Sequence, residues 1–219
     1  MWPGWLKLVI AVVAAAGQTE AQEIRLPTPQ RDGKMSLERC LHLRRSVRAF
    51  AEAPLRLDEV SQLLWAAQGV TGEGGLRTAP SAGARYPLEV YFLAGKVEGL
   101  AAGIYKYRPA GHSLRQVAGG DRRRDLAQAA LGQQFIAEAP GVFVIAGVYE
   151  RTAQRYGERA SRYVHIEVGH AGQNICLQAV ALGLGSVTVG AFRDEQVKRV
   201  VGMPAEEAPL YVLPVGRRR

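Results

Sequence analysis

The sequence contains little cysteine, little lysine and no long apolar segment. Two cysteines in 219 residues cannot form a dense disulfide scaffold, and an apolar content of 47% excludes a chain that is disordered throughout. No apolar run reaches the roughly 20 residues that a membrane-spanning helix needs, which excludes a polytopic membrane protein. The length suits one domain with a sizeable core better than two domains.

The net charge of +8 is carried mainly by arginine, since only five of the 28 basic residues are lysines. A guanidinium group presents a rigid fork of donors that matches phosphate and carboxylate groups, whereas a lysine is a hydrated point charge. The sequence contains no recognisable basic and aromatic module for nucleic acid, so no nucleic-acid partner is predicted. Three arginine clusters stand out: Arg44/Arg45/Arg48, Arg122/Arg123/Arg124 and Arg217/Arg218/Arg219. Solvated surface is the favoured interpretation of any one cluster alone, and Arg122/Arg123/Arg124 keep that interpretation.

The first 21 residues have the layout of a secretory signal peptide. Lys7 precedes a continuously apolar run over residues 8–16, and small residues follow up to Ala21. We therefore predict removal of residues 1–21 and export to the periplasm or the extracellular space, with no membrane span in the mature form. A cytoplasmic or membrane-anchored protein is the less favoured alternative.

The remaining chain is predicted to consist of an extended arm over residues 22–35 and one domain over residues 36–219. Apolar spacing predicts helices and strands in an order typical of an α+β fold. The predicted helices cover residues 36–43, 57–68, 124–131, 161–182 and 194–201, and the predicted strands cover residues 87–93, 103–107, 113–117, 142–149, 187–191 and 210–215. The long fourth helix has an apolar stripe formed by Val164, Val168, Ala171, Ile175 and Ala179.

Several common site motifs are absent. There is no phosphate-binding Walker loop, no complete dinucleotide fingerprint and no nucleophile elbow. His165, Glu167 and His170 do not have the spacing of a zinc protease, and no second Glu-x-x-His motif completes a di-iron site. We predict no metal site and interpret Glu167, His170 and Asn174, which share a helix face, as a polar network. Cys40 and Cys176 are interpreted as small buried side chains, and their pairing stays open.

Three segments carry chemistry that suits a phosphorylated, flat ligand. Residues 44–48 combine guanidinium groups with a hydroxyl, which can hold a phosphate and a polyol chain. Residues 78–87 and 183–192 are rich in small side chains, which let the backbone approach a ring closely. Each segment alone could be an ordinary turn, whereas their joint presence with residues 214–217 indicates a ligand site.

With these motifs, the sequence resembles the nitroreductase-like FMN flavoenzymes, specifically the SagB/ThcOx-type dehydrogenase branch. The resemblance is strongest over residues 44–50, 80–90 and 163–192. It implies an α+β fold in which a small antiparallel sheet is wrapped by helices. It also implies a homodimer formed through long central helices, with FMN bound in a site that the two subunits share.

The resemblance also assigns the residues of the cofactor site. The FMN phosphate and ribityl chain would be held by Arg44, Arg45, Ser46 and Arg48, and Arg217 would close on the phosphate. The partner subunit would supply Ser81, Ala82 and Gly83. Backbone N–H groups near flavin N5 would come from Gly190 and Ala191. No catalytic side chain is assigned. Relatives that oxidise azolines use a Lys-Tyr pair, but Lys106-Tyr107 lies on the predicted hairpin, and an ordinary strand is the favoured explanation.

The chemistry implied is hydride transfer through flavin N5 between an organic substrate and an electron acceptor. Because nicotinamide cofactors are scarce outside the cytoplasm, predicted export favours a dehydrogenase or oxidase that uses oxygen or a quinone. In classical nitroreductases an acidic residue stands where this chain has Gly190. The alternatives are an NAD(P)H-dependent nitroreductase and a flavin- or anion-binding protein without enzymatic activity. The sequence specifies neither the substrate nor the physiological donor and acceptor.

Overall fold

A seven-stranded antiparallel sheet is the centre of the fold in the computed structural model, which describes residues 23–219. The predicted signal peptide lies outside the described residues. The strands occur in the order β1-β6-β5-β3-β7-β9-β8 across the sheet. Their bounds are β1 (Glu23–Arg25), β3 (Leu88–Ala94), β5 (Gly103–Arg108), β6 (Ser113–Gly119), β7 (Gly141–Gly147), β8 (Leu184–Ser186) and β9 (Ala208–Arg217), and a separate parallel pair is formed by β2 (Leu55–Arg56) and β4 (Val97–Glu98).

Helices cover both faces of this sheet. They are α1 (Leu37–Leu43), α2 (Leu57–Gln68), α3 (Arg123–Ala129), α4 (Phe135–Glu138), α5 (Tyr149–Tyr156), α6 (Ala160–Ala181) and α7 (Asp194–Val201). Helices α2 and α6 pack on one face and contact each other, while α3, α4 and α7 cover the other. The predicted α+β fold with an antiparallel sheet wrapped by helices is confirmed.

The two cores follow from the alternation of side chains along the strands. On β3, Leu88, Val90 and Phe92 point into the core beneath α2 and α6, whereas Tyr91 and Leu93 point into the core beneath α3, α4 and α7. Central strands covered on both faces are nearly continuously apolar, as β7 is throughout and β3 is apart from Glu89, which is why both were recognisable in the sequence. The predicted stripe on α6 is confirmed, since all five of its residues are buried.

Local hydrogen bonds fix the beginnings of the two helices that flank the site. The Ser36 hydroxyl accepts from the Arg39 backbone N–H at 3.2 Å and so caps α1. At α2, the Glu59 carboxylate accepts from the Arg56 N–H at 2.9 Å. Glu59 is almost fully buried, so this helix begins with a carboxylate enclosed by protein.

The short elements β2, β4 and α4 were not predicted, and three further differences have a clear physical reason. The arm predicted to be extended contributes a strand, β1, which pairs with β6 through only three residues, too few for a periodic pattern. Helix α5 was missed because its sequence is polar and, of its residues, only Thr152 is buried. The strand predicted at 187–191 forms earlier, as β8, because Gly183 ends α6 in a left-handed conformation (φ 72°) and the chain enters the sheet at once.

The lengths and apolar content of the described helices decide whether any of them could span a membrane. None of those within residues 23–219 combines the length and apolar character needed to cross a bilayer.

Candidate cofactor-binding site

The segment Arg44–Arg48, which we call the arginine segment, is held along the edge of the main sheet. The Val47 N–H donates to the Ser186 carbonyl oxygen at 2.9 Å, which joins the segment to β8. The Ala51 N–H donates to the Arg217 carbonyl oxygen at 2.9 Å, which joins the following residues to the end of β9. These bonds bring two parts of the predicted phosphate site together although they lie at opposite ends of the chain.

The arginine segment presents cations without acidic partners. Within the described chain, no carboxylate lies within 4 Å of Arg44, Arg45 or Arg48. Arg45 donates to the carbonyl oxygens of His42 and Arg44 at 2.8 and 2.7 Å, which satisfies the end of α1. Ser46, in the same segment, is exposed. The segment is therefore a concentration of positive charge available to an anion.

Arg217 differs from the other predicted phosphate ligands because it is already paired. Its Nη2 lies 2.9 and 3.1 Å from the two carboxylate oxygens of Glu59. Arg56 also contacts Glu59, at 3.1 Å, so two guanidinium groups neutralise one buried carboxylate. One face of Arg217 is thus committed to the protein, and its role toward a phosphate stays a prediction.

Gly190 and Ala191 present backbone donors on the connection that leads to α7. Neither N–H has an acceptor among residues 23–219. The Val189 N–H donates to the Val212 carbonyl at 2.8 Å and fixes the residue before them, and the Ala191 carbonyl accepts from Gln133 at 3.0 Å. Gly190 is open, since a Cβ added there would meet nothing nearer than 4.0 Å. Both residues are exposed, so two backbone donors are available to a ligand.

Ser81, Ala82 and Gly83 lie elsewhere, in a tight turn packed against α5. Gly83 has a left-handed conformation (φ 58°), and a Cβ added to it would lie 2.8 Å from the Tyr156 hydroxyl oxygen. The Ser81 Oγ accepts from the Tyr86 N–H at 2.8 Å and closes the turn. No hydrogen bond or ion pair in the described part of the chain joins this turn to the arginine segment.

A buried carboxyl lies under the turn. Glu167 of α6 is only 3% exposed and stands beside the Ser81 hydroxyl and the Ala82 N–H. Burial raises its pKa to about 7, although Ser81, Arg77 and Ala82 each lower the pKa. Sequence reasoning placed Glu167 in a polar network with His170 and Asn174 but missed this contact. Its apolar surroundings on α6 were the one available signal.

The other polar residues singled out in the sequence have separate surroundings. The His165 Nε2 lies 2.6 Å from the Tyr149 hydroxyl, and Asn174 donates to the Ala66 carbonyl at 3.0 Å. No group of three His, Cys, Asp or Glu side chains within residues 23–219 is arranged to hold a metal ion. Cys40 and Cys176 are both free and buried, and burial raises the pKa of the Cys176 thiol.

Lys106 and Tyr107 are consecutive residues of β5 and point to opposite faces of the sheet. Lys106 is buried in an ion pair with Glu207 and also lies 3.2 Å from Glu89. The Tyr107 hydroxyl is 2.8 Å from the Nδ1 of His112, and burial raises its pKa. The strand explains both residues, and each side chain already has its partners inside the protein.

The residues brought together at the sheet edge fit FMN by their chemistry. Guanidinium groups without carboxylate partners match a phosphate that carries nearly two negative charges at neutral pH. Backbone N–H groups without acceptors match the carbonyl and ring nitrogen acceptors of a flavin. The small side chains of the connection after β8 leave room for a ring.

Comparison with known proteins identifies the family. The family model described as "Nitroreductase family" matches residues 41–217, so the chain belongs to the nitroreductase family. A presumed nitroreductase of Methanocaldococcus jannaschii is 48% identical over 199 residues, which cover 91% of this chain and 98% of that protein. The crystal structure of a presumed nitroreductase from Ralstonia eutropha JMP134 superposes with a TM-score of 0.80 at 31% identity, covering 93% of each chain.

Two further relatives are more distant. A chain of the Escherichia coli microcin synthetase McbBCD complex, solved with truncated pro-MccB17 bound, has a TM-score of 0.70 at 25% identity and covers 97% of this chain and 85% of its own. The NADPH-flavin oxidoreductase of Vibrio harveyi is 28% identical over 112 residues. That match covers 48% of this chain and 47% of the Vibrio protein.

The prediction that the chain is exported is wrong. It rested on residues 1–21, which lie outside the described residues, and neither the described helices nor the compared proteins point to export. The argument against a nicotinamide cofactor was that such cofactors are scarce outside the cytoplasm. Because that argument depended on export, it no longer applies.

Proposed function

We propose that this protein is an FMN-dependent oxidoreductase that transfers hydride between an organic substrate and an electron acceptor. Membership of the nitroreductase family supports a flavin oxidoreductase. The observation that carries the proposal is the arginine segment, in which three guanidinium groups lie on one rigid stretch without a carboxylate partner in the described chain. Such a concentration of unpaired charge destabilises a protein unless an anion binds there.

Bound FMN would supply the hydride chemistry through N5 of its ring. The residues of this chain would bind and orient it. Arg44, Arg45 and Arg48 would neutralise the phosphate, and the Ser46 hydroxyl would hydrogen-bond the polyol chain. The N–H groups of Gly190 and Ala191, which have no acceptor in the described chain, would donate to the ring and favour negative charge on it.

We further propose that the working unit is a homodimer. The Ser81–Gly83 turn has no described contact with the arginine segment of its own chain, so it would reach the flavin bound by the partner subunit. Exposed leucines and isoleucine support a shared surface: Leu37 and Leu41 on α1 and Ile166 on α6 are each at least half exposed. Large apolar side chains at the surface of two neighbouring helices are typical of an oligomer interface.

We propose that the electron donor is an organic substrate, which the protein would oxidise as a dehydrogenase of the SagB/ThcOx-type branch. In sequence, the match to the microcin B17-processing protein McbC of Escherichia coli covers 62% of this chain at 29% identity, and the match to the NADPH-flavin oxidoreductase covers 48% at 28% identity. The absence of a side chain at Gly190 points the same way, because an acidic residue stands there in classical nitroreductases. NAD(P)H-dependent nitroreduction is the second candidate, favoured by the flavin oxidoreductase among the relatives.

The first experiment is to purify the protein, record its absorbance between 350 and 500 nm and add FMN if the flavin bands are missing. We expect stoichiometric FMN and a homodimer in solution by light scattering. Protein that neither contains FMN nor binds it would contradict the proposal. A yellow protein that no donor reduces would favour a flavin-binding protein without enzymatic activity.

The second experiment separates the two donors. Anaerobic bleaching of the flavin is followed after addition of NADH, NADPH or a panel of organic substrates, including azoline-containing peptides. We expect bleaching by an organic substrate to be faster than bleaching by either nicotinamide. Fast bleaching by NADPH, with transfer to a nitroaromatic acceptor, would instead establish the nitroreductase.

A further inference from the structure

A cavity of about 310 Å³ lies near the edge of the main sheet that β1, β6 and β5 form. The arginine segment lies at the opposite edge, where it is joined to β8 and β9. Residues of β1, β3 and β5, the end of α2 and the β5–β6 hairpin line the cavity. Small-molecule sites have volumes of about 300–1,000 Å³. The cavity is therefore large enough for a small organic ligand, and it is separate from the predicted phosphate site.

Arg77 is a half-buried cation on the wall of this cavity. Within the described chain, no carboxylate lies within 4 Å of it. Its guanidinium lies 4.4 Å from the centre of the Tyr86 ring, and its Nη1 donates to the Gln68 Oε1 at 2.8 Å. Burial lowers the pKa of Arg77, although the more distant Glu89 and Glu167 raise it. Most of its N–H donors are left without an acceptor, and its charge is incompletely balanced.

Two acidic side chains line the cavity, and both have other partners. Glu23 is exposed and accepts a hydrogen bond from β6 at 2.5 Å. Glu89 pairs with Arg151 at 2.5 Å and with Lys106 at 3.2 Å. Neither carboxylate is therefore the partner of Arg77.

Gln68, the last residue of α2, supplies a second donor without a partner. It lines the cavity and is fully buried, and its Nε2 has no hydrogen-bond partner among the described residues. Because a guanidinium can only donate, the Gln68 amide turns its oxygen to Arg77 and keeps its NH₂ group for another acceptor. A buried amide without an acceptor costs free energy, so an acceptor from outside the chain would stabilise this place.

The cavity also has apolar walls. Leu88, Val90 and Tyr107 are each at most 3% exposed and line it together. The Tyr107 hydroxyl already lies 2.8 Å from the Nδ1 of His112. A matching ligand therefore combines a negatively charged acceptor with an apolar body.

We propose that this cavity binds a small monocarboxylate, whose carboxylate accepts from Arg77 and Gln68 and whose apolar body lies against the walls. The guanidinium fork matches a carboxylate in geometry, and one half-buried cation balances one negative charge. The site uses none of the residues assigned to FMN. Its occupation therefore does not depend on the proposed function, and a protein without FMN would still bind the carboxylate.

The test is calorimetric titration of the full-length protein with hexanoate at neutral pH. The uncharged counterpart is 1-hexanol, and the counterpart without an apolar body is acetate. Hexanoate should bind more tightly than either, because each counterpart lacks one of the two features that the cavity matches. Absence of hexanoate binding, or equally tight binding of 1-hexanol or acetate, would overturn the proposal.

The first variant is Arg77→Gln, which should weaken hexanoate binding about thirtyfold, the scale of hydrogen bonds to a charged group. Arg108→Gln is the matched control, because Arg108 also lines the cavity but is exposed. Solvent and salt screen an exposed charge, so this variant should change the affinity by less than about twofold. Equal weakening in both variants would show that net charge alone attracts the ligand, which contradicts the site.

The second variant is Gln68→Glu, which keeps the size of the side chain and places a carboxylate where the amide oxygen now accepts from Arg77. This internal acid should pair with Arg77, so the variant should fold and lose hexanoate affinity by at least about thirtyfold. Wild-type affinity in folded Gln68→Glu would refute the site.

Arg44→Ala shows where hexanoate binds. It removes a cation from the opposite edge of the sheet and should keep the wild-type affinity for hexanoate. Weaker binding in this variant would place hexanoate at the predicted phosphate site and overturn the proposal.

Discussion

Two arginine-rich segments that look alike in the sequence have opposite surroundings in the structure. In the segment Arg122–Arg124, Arg123 is only 7% exposed, and its guanidinium contacts Asp121 at 2.9 and 2.6 Å as well as the Ala139 carbonyl. Arg122 pairs with Asp125 at 3.3 Å. In the arginine segment at Arg44–Arg48, no carboxylate lies within 4 Å of any of the three cations in the described chain.

The difference teaches that the neighbouring acids, rather than the arginines, distinguish a structural cluster from a binding cluster. Asp121 and Asp125 flank the first segment, and between Glu38 and Glu52 the chain contains no acidic residue at all. The interpretation of Arg122–Arg124 as solvated surface was wrong for Arg123. Its buried side chain links the start of α3 to Ala139 by donating to the Ala139 carbonyl. Unpaired charge in the other segment is a feature that an anionic ligand would stabilise.

The largest expected effect is on stability, at Arg123. We expect Arg123→Ala to lower the free energy of unfolding by about 3 kcal/mol, because it removes a buried side chain, leaves the Ala139 carbonyl without its donor and breaks the ion pair with the partly exposed Asp121. The backbone makes room for this side chain at Gly95, where an added Cβ would lie within 1.8 Å of it. Urea unfolding of the apoprotein measures the change.

The control for this variant is Arg124→Ala. Arg124 is an exposed neighbour in the same segment, and its removal should change the free energy of unfolding by less than about 0.5 kcal/mol. Equal destabilisation by both variants would show that net charge, and not the ion pair, accounts for the effect. The contrast between the two segments would then lose its physical basis.

The next effect is on binding, at Arg44. We expect Arg44→Ala to raise the FMN dissociation constant about thirtyfold, or about 2 kcal/mol, because one charge-assisted contact to the phosphate is lost. The free energy of unfolding of the apoprotein should change by less than about 0.5 kcal/mol, since Arg44 has no partner within the described chain to lose. Fluorescence titration with FMN and urea unfolding measure the two quantities.

Arg124→Ala again serves as the matched control, because it removes one exposed arginine from the other segment. It should leave FMN affinity unchanged at the same ionic strength. If both variants weaken binding equally, the effect is long-range attraction by the whole protein. Unchanged affinity in Arg44→Ala alone would remove Arg44 from the site.

Sequence patterns predicted the parts of the fold that depend on neighbours along the chain. The stripe on α6 and the apolar runs of β3 and β7 repeat within a few residues, and the structure buries them as expected. Strand β1 has three residues and α5 is polar, so neither carries enough local pattern to be recognised. Their places depend on what covers them in the folded chain.

The candidate site shows the same limit more sharply. The small residues and arginines of the site were visible as motifs, but the pairing of Arg217 with Glu59 joins residues 158 apart in the chain. Glu167 was visible on its helix, whereas the turn that covers it comes from a distant part of the sequence. Partners brought together by tertiary packing leave no periodic signal, so which cations are already neutralised could not be predicted.

The smallest expected effect is the pH dependence of stability that Asp121, the partner of Arg123, contributes. The hydrogen bond from Arg123 holds the pKa of the Asp121 carboxyl below its usual range. Because the pKa is lower in the folded state than in the unfolded state, this carboxylate stabilises the fold above about pH 4 and loses its contribution as the pH falls through the folded-state value. Asp121 is 42% exposed, so solvent screens the pair and we expect less than about 1 kcal/mol.

The measurement is urea unfolding of the wild type and Asp121→Asn between pH 5 and pH 2. The wild type should be the more stable at pH 5, and the difference should shrink toward pH 2, because protonation then removes the charge that the variant lacks at every pH. Asp125→Asn is the control, since its exposed pair with Arg122 should add less than about 0.5 kcal/mol. A difference that stays constant down to pH 2 would mean that Asp121 acts by shape and hydrogen bonding alone, and the ion pair would no longer separate the two arginine segments.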